Sequence, residues 1–177
     1  MIKGIQEVNE VMAKAKADLD ANGGLKQVIF VACGGSFASS YPARYLLNQE
    51  SCLRVQGYNS SEFVNATPKS VDQNTLVIGT STKATPETVQ ALQVAKDRGA
   101  VTIGLSGYAD SLTAQTARYY ITYYHADEWY QDPSLVHCNS QGTALKIAFW
   151  LLKEYDHYPY FDQAMEAFEK MPEIYGA

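Results

Sequence analysis

Two short stretches hold most of the groups in this chain that could grip an anion. The first is Cys33-Gly34-Gly35-Ser36, with Ser39 and Ser40 just behind it. The second is Thr80-Ser81-Thr82-Lys83-Ala84-Thr85. A phosphate group needs dense hydrogen-bond donors and some positive potential. Ser and Thr hydroxyls supply donors, glycine lets backbone N–H groups come close, and a helix N-terminus adds partial positive charge. Lys83 could add a full charge. The same residue types also serve as plain helix caps, because Ser and Thr are favoured at N-caps for their own sake. For one such turn the cap is the better account; two turns at one sheet edge put ligand binding level with it. Neither turn is a P-loop, since G-x-x-x-x-G-K-[ST] is absent, and the lack of G-x-G-x-x-G argues against a dinucleotide.

Groups able to move protons are concentrated in Tyr123-Tyr124-His125-Ala126-Asp127-Glu128-Trp129-Tyr130-Gln131-Asp132. A solvated acidic loop would have the same composition. His125 and His137 read as surface or core residues, and His157 lies in a polar connection. The histidines show no H-x-x-x-H or H-E-x-x-H spacing, so no metal is expected, and no cofactor is needed to bind a phosphate. No Ser sits in a G-x-S-x-G elbow, which argues against a hydrolase. Cys33, Cys52 and Cys138 form no C-x-x-C pair and no disulfide framework. They fit a reducing cytoplasm. Cys33 follows an apolar run and reads as a packing residue.

These stretches have to be positioned by regular elements. Ile5, Val8 and Met12 recur at helical spacing, giving an amphipathic helix over residues 4–20 that Asn22-Gly23-Gly24 stops. Residues 27–32, 75–79 and 100–105 are short, apolar and rich in β-branched side chains, the mark of strands buried on both faces. Residues 53–58 and 119–124 read as further strands. Helices are expected over 37–48, 60–65, 86–98, 140–155 and 161–170. Pro86 stands at the first helical position with Glu87 in the first turn, and Gly99 ends that helix. Strands alternating with helices at this spacing predict a three-layer α/β/α sandwich on a mainly parallel five-stranded sheet, flavodoxin- or Rossmann-like. In such sheets ligands bind beyond the carboxyl ends of the strands, where both hydroxyl-rich turns fall.

The totals agree. The 177 residues suit one domain over 1–177: an N-terminal helix within 1–24, an α/β core over 25–156 and a C-terminal helix within 157–177. With 46% hydrophobic and 19% charged residues, a sizeable core can form. The net charge of -5 argues against a nucleic-acid partner. No apolar run approaches the roughly 20 residues that cross a membrane, and the N-terminus lacks the apolar stretch of a signal peptide. The 13 tyrosines hint at interfaces or a wet cleft, and Ala148, Leu151 and Leu152 on helix 140–155 are expected to face a dimer partner or a second domain.

Val31-Ala32-Cys33-Gly34-Gly35-Ser36 resembles the first phosphate loop of SIS (sugar isomerase) domains, and Thr80 to Thr85 with Pro86-Glu87-Thr88-Val89 resembles their second loop and helix. Ala32-Cys33-Gly34-Gly35-Ser36 through Tyr41-Pro42, with Thr85-Pro86-Glu87-Thr88-Val89, is similar more narrowly to the fructosamine (fructoselysine-6-phosphate) deglycases, relatives of the isomerase half of glucosamine-fructose-6-phosphate aminotransferase. The resemblance implies a sugar phosphate held by Ser36, Ser81 and Thr85, with Thr82 and the backbone of Gly35 assisting. It also implies a proton-moving group in the segment after the last strand, with Glu128 the strongest single candidate. Two departures stand out. The family's second loop reads Ser-x-Ser-Gly-x-Thr, whereas Ser81-Thr82-Lys83-Ala84-Thr85 is one residue short and lacks the glycine, with either Thr82 or Lys83 near the second serine. The deglycases also carry two SIS domains, and their catalytic carboxylate and histidine lie mainly in the second, which this chain does not match. The expected function is therefore an isomerase or deglycase of the fructosamine 6-phosphate class, or its N-terminal half, completed by a homodimer partner or a second SIS domain. The alternatives are a non-catalytic phosphosugar-sensing domain and a scaffold that lost its ligand.

Overall fold

Strand formation follows the apolar runs. The computed structural model describes residues 3–124, 132 and 138–175. Its strands are β1 (Gln27–Ala32), β2 (Arg54–Asn59), β3 (Thr75–Thr80), β4 (Val101–Ser106) and β5 (Tyr119–Thr122). All pair in parallel, in the order β2-β1-β3-β4-β5. The helices are α1 (Lys3–Ala21), α2 (Gly34–Ser39), α3 (Tyr41–Glu50), α4 (Ser60–Asn65), α5 (Pro86–Asp97), α6 (Leu112–Thr116), α7 (Ser140–Asp156) and α8 (Phe161–Tyr175). This is the expected α/β/α sandwich.

Period-2 alternation divides each central strand between two cores. Val28, Phe30, Leu76, Ile78, Ile103 and Leu105 point to one side, where α1, α3 and α7 pack. Ile29, Val31 and Val77 point to the other, against Phe63 of α4 and Ala91 and Ala95 of α5. The β1, β3 and β4 residues are buried throughout. Edge strand β2 is not, which matches its weaker sequence signal.

Helix α1 is part of the core, with Val8, Met12, Ala15 and Leu19 buried. It also protects the β5 edge. Glu7 accepts hydrogen bonds from the Thr122 amide at 2.9 Å and from the Thr122 hydroxyl. Asp18 accepts from Tyr119 Oη at 2.6 Å and from Arg118. A bare edge strand would offer these groups to another chain. The Gly23 and Gly24 backbones both take positive φ and end the helix, as their spacing predicts.

Three local expectations are corrected. The helix expected over 37–48 is two helices that meet at Ser40, with Pro42 in the first turn of α3, where its missing N–H does no harm. Helix α6 was not foreseen; five residues are too few to show periodicity, and its signal is the Ser111 cap, whose hydroxyl accepts from the Ala114 amide. Ala148, Leu151 and Leu152 do not face a partner. They lie in this chain's own core at 0%, 1% and 0% exposure. Full burial of each leucine contributes about 1.5–3 kcal/mol, so the helix that carries them is integral to the domain.

Two substitutions test this packing. A Cβ at Gly104 would stand 2.6 Å from the backbone oxygen of Thr113, which a rigid helix–sheet contact cannot yield cheaply. Gly104→Ala is expected to lower stability by about 1–3 kcal/mol, read as a reduced urea midpoint; an unchanged midpoint would show that α6 is not held against β4. The Tyr155 hydroxyl is buried without a hydrogen-bond partner among the described residues. Burial, followed by the nearby carboxylates of Asp20 and Glu154, pushes its pKa from 10.0 up to about 12. The unfolded chain therefore loses this proton first, and stability that is intact below pH 10 falls as pH rises toward 12. Tyr155→Phe should leave stability at neutral pH equal or higher and flatten that alkaline loss; a steeper loss in the variant would contradict the assignment.

Candidate functional site

Ala32 pairs with Thr80 across β1 and β3, so the two hydroxyl-rich turns start side by side at the carboxyl edge of the sheet. In this strand order the crossovers reverse direction between these strands, and the crevice there is the usual ligand position in open α/β sheets.

In the first turn, the reversal after β1 is tight. Gly34 takes φ +53, a left-handed conformation that a side chain would strain, and α2 starts at once. Cys33, half-buried at the N-cap, makes no side-chain cap bond. The amides of Gly34, Gly35 and Ser36 open the helix and have no intrahelical acceptor. The hydroxyls separate into two groups. Ser39 Oγ donates to the Ser36 carbonyl at 2.8 Å, and Ser40 Oγ donates to the Phe37 carbonyl at 2.7 Å while accepting from Arg44 Nε. Both are therefore engaged within their own helices. The half-buried Ser36 hydroxyl forms no hydrogen bond to any described residue.

The second turn is braced from behind. Ser81 is 2% exposed. Its Oγ accepts the Thr85 amide at 2.9 Å and lies 3.0 Å from Thr85 Oγ1, closing the loop on itself. The Thr82 carbonyl accepts from Ser106 Oγ at 3.0 Å and from the Gly107 amide at 3.1 Å. Thr113 Oγ1 donates to the Lys83 carbonyl. Above the crest, Thr82 is exposed, and its Oγ1 accepts from Tyr123 Oη at 3.1 Å. Burial raises the Tyr123 pKa, which keeps the phenol protonated and donating. Thr82 is thus left with its own proton to give outward. Among the described residues nothing accepts from the amides of Thr82, Lys83 or Ala84. Pro86, at the start of α5, has no amide to satisfy.

The exposed Lys83 extends toward Tyr108, 5.9 Å from the ring centroid, over a depression of about 320 Å³ that Ala84, Asp110 and Ser111 also line. Asp110 sets a carboxylate in the same depression, so the potential there is mixed.

Of the residues singled out in the sequence, Gly35, Ser36, Ser81, Thr82 and Thr85 come to one edge on adjacent turns. Glu128 lies outside the described residues, as do His125 and His137. His157 is exposed at the far end of α7, where it takes the left-handed C-cap. Among the described residues no group of three His, Cys, Asp or Glu could hold a metal. No described helix is long and apolar enough to cross a membrane. Sequence reasoning missed the supporting set of Ser106, Ser111 and Tyr123. A signal was present: β3, β4 and β5 each end on a hydroxyl residue, Thr80, Ser106 and Thr122, at the edge where the turns meet.

A parallel α/β sandwich with a hydroxyl-rich carboxyl edge defines a class of ligand-binding domain, and comparison with known proteins narrows it. Residues 25–151 match the SIS domain family, and the chain belongs to that family. It is 33% identical over 153 residues to fructosamine deglycase of Bacillus subtilis, covering 85% of this chain and 45% of that protein. It is 30% identical over 132 residues to fructoselysine 6-phosphate deglycase of Escherichia coli, covering 67% of this chain and 37% of that one. The crystal structure of a proposed phosphosugar isomerase from Salmonella typhimurium superposes with a TM-score of 0.88 at 30% identity, over 98% of this chain and 51% of the other. The chain spans less than half the length of the curated relatives it matches.

The division between bracing and outward hydroxyls can be tested by stability alone. Ser81→Ala removes the acceptor of the Thr85 amide and is expected to cost about 1–3 kcal/mol. Ser36→Ala, which breaks no internal bond, should fall within about 0.5 kcal/mol of the parent chain. Equal losses by urea unfolding would contradict the division.

Proposed function

We propose that this chain binds a sugar phosphate between the β1–α2 and β3–α5 turns and contributes to isomerase or deglycase chemistry of the fructosamine 6-phosphate class. One observation carries the proposal: at adjacent strand ends, Ser36 and Thr82 are the hydroxyls left free to donate outward, while their neighbours are tied back. The phosphate is held by Ser36 and Thr82, by the Gly35 amide, and by the crest amides of the second turn, and Thr85 joins them when its hydroxyl accepts from Ser81 Oγ and so keeps its own proton to give. Ser81 shapes that turn from beneath. Lys83 supplies a counter-charge at the rim. Membership of the SIS family and the similarity to deglycases support the same ligand class.

Isomerisation and deglycation both shift a proton at a carbon beside a carbonyl, and that step needs a positioned acid or base. Neither turn contains a histidine or a carboxylate. Glu128 fills this role in the proposal, and a second SIS domain or a second copy of the chain completes the sugar pocket. The lack of an acid or base in the turns also favours a second reading, a phosphosugar-sensing domain without catalysis. The free thiols of Cys33, Cys52 and Cys138 suit a reducing compartment, the cytoplasm.

Thermal unfolding with fructose 6-phosphate, glucosamine 6-phosphate and a fructosamine 6-phosphate tests the binding. At 100 times its dissociation constant a ligand stabilises the fold by roughly 2.7 kcal/mol. The gain should vanish in Ser36→Ala and Thr82→Ala. Failure of every sugar phosphate to stabilise the parent chain would refute the site. If binding holds, Glu128→Gln separates the two readings: turnover lost with binding retained supports the enzyme, and no turnover in the parent chain, alone or with a second SIS domain, supports the sensor.

A further inference from the structure

Apart from the two hydroxyl-rich turns, a nearly buried thiol and a nearly buried amine lie side by side. Cys138 and Lys146 are each 2% exposed. Lys146 Nζ stands 3.4 Å from Cys138 Sγ, its one hydrogen-bond partner among the described residues, and 5.5 Å from the centroid of the Phe168 ring. No described carboxylate pairs with this amine. A buried lysine is normally matched by an acid, because an isolated charge in the interior is costly. Here the matching group is a thiol. Burial also lowers the Lys146 pKa, which favours the neutral amine with its nucleophilic lone pair. Cys33 and Cys52 provide internal comparisons: the first is half-buried, the second exposed, and no described lysine nitrogen bonds to either sulfur.

We propose that Cys138 and Lys146 form an oxidant-triggered covalent sulfur–nitrogen link, with a hydroperoxide as the oxidant. In the first step the Cys138 sulfur attacks the O–O bond of hydrogen peroxide; a sulfenic acid forms and one water leaves. A sulfenic acid condenses with a nearby nitrogen to give a sulfenamide. In the second step the Lys146 nitrogen attacks sulfur, the S–O bond breaks, and the oxygen departs as water with a proton from the amine. The two side chains lose two hydrogens in all, and hydrogen peroxide becomes two waters. A dithiol reverses the change by attacking the linked sulfur. The position gives the link a structural role. Cys138 directly precedes Asn139, the N-cap of α7, and its carbonyl accepts the Tyr124 amide at 2.9 Å. Tyr124 follows Tyr123, which donates to Thr82. The link would fasten the start of α7 to its second turn, beside the strand end that supports the second hydroxyl-rich turn.

The test is a titration of the purified chain with hydrogen peroxide, followed by proteolysis and mass spectrometry. The expected product joins the peptides carrying Cys138 and Lys146, about 2 Da lighter than their sum, and disappears on treatment with dithiothreitol. In Lys146→Arg the guanidinium cannot form the link, and Cys138 should proceed to the sulfinic acid instead. Two results on the parent chain would overturn the proposal: Cys138 oxidised to sulfinic or sulfonic acid with Lys146 free, or Cys138 still reduced after the exposed Cys52 has been oxidised. Both are read on the unsubstituted protein, so neither depends on how well the variant folds.

Discussion

Parallel pairing sends the carboxyl ends of all five strands to one edge, and the in-register match of Ala32 with Thr80 sets the two hydroxyl-rich turns side by side. The site depends on that constraint. A parallel ladder requires crossover helices, and those helices start at the edge where the strands stop. Each turn therefore inherits backbone amides at a helix start and a crevice between neighbouring strands. The burial of Val28 to Ala32 and of Leu76 to Thr80 on both faces keeps the edge in place, so the turns project from strands packed in the core.

Within that frame the hydroxyls do different work. Ser39, Ser40 and Ser81 satisfy backbone groups locally, as Ser and Thr side chains commonly do near helix ends. Thr82 is held through both its carbonyl and its side chain, by Ser106, Gly107 and Tyr123. A donor that is already fixed loses little freedom when it meets an anion, and such preorganisation raises affinity. Where the resembling loops carry a glycine, Thr82-Lys83-Ala84 is gripped by hydrogen bonds from the ends of β4 and β5.

Much of the architecture was legible in the sequence. The runs around Val28 and Leu76 have no polar interruptions and that around Val101 only Thr102, so all three read as buried strands, and Pro86, Glu87 and Gly99 mark the limits of α5. The positions of both hydroxyl-rich turns followed from those elements. The division of labour among the hydroxyls did not. Ser36 and Ser39 look alike in sequence, and only the three-dimensional path of α2 shows that one is engaged and the other is not. The brace was hidden for a similar reason, since Ser106 and Tyr123 are far from Thr82 along the chain. The apolar face of helix 140–155 could equally have met a partner; what decides it is the packing of α1 and α3 over Ala148, Leu151 and Leu152, a tertiary fact that periodicity does not carry.

The central claim is that a phosphate sits between the two turns and is met by Ser36 and Thr82. Backbone amide NMR during a titration with fructose 6-phosphate tests it most directly. The account predicts saturable shifts at Gly34, Gly35, Ser36, Thr82, Lys83 and Ala84, with the interior of β1 and β3 unmoved. Shifts confined to Tyr108, Asp110 and Ser111, with the residues of the β1–α2 turn silent, would contradict it.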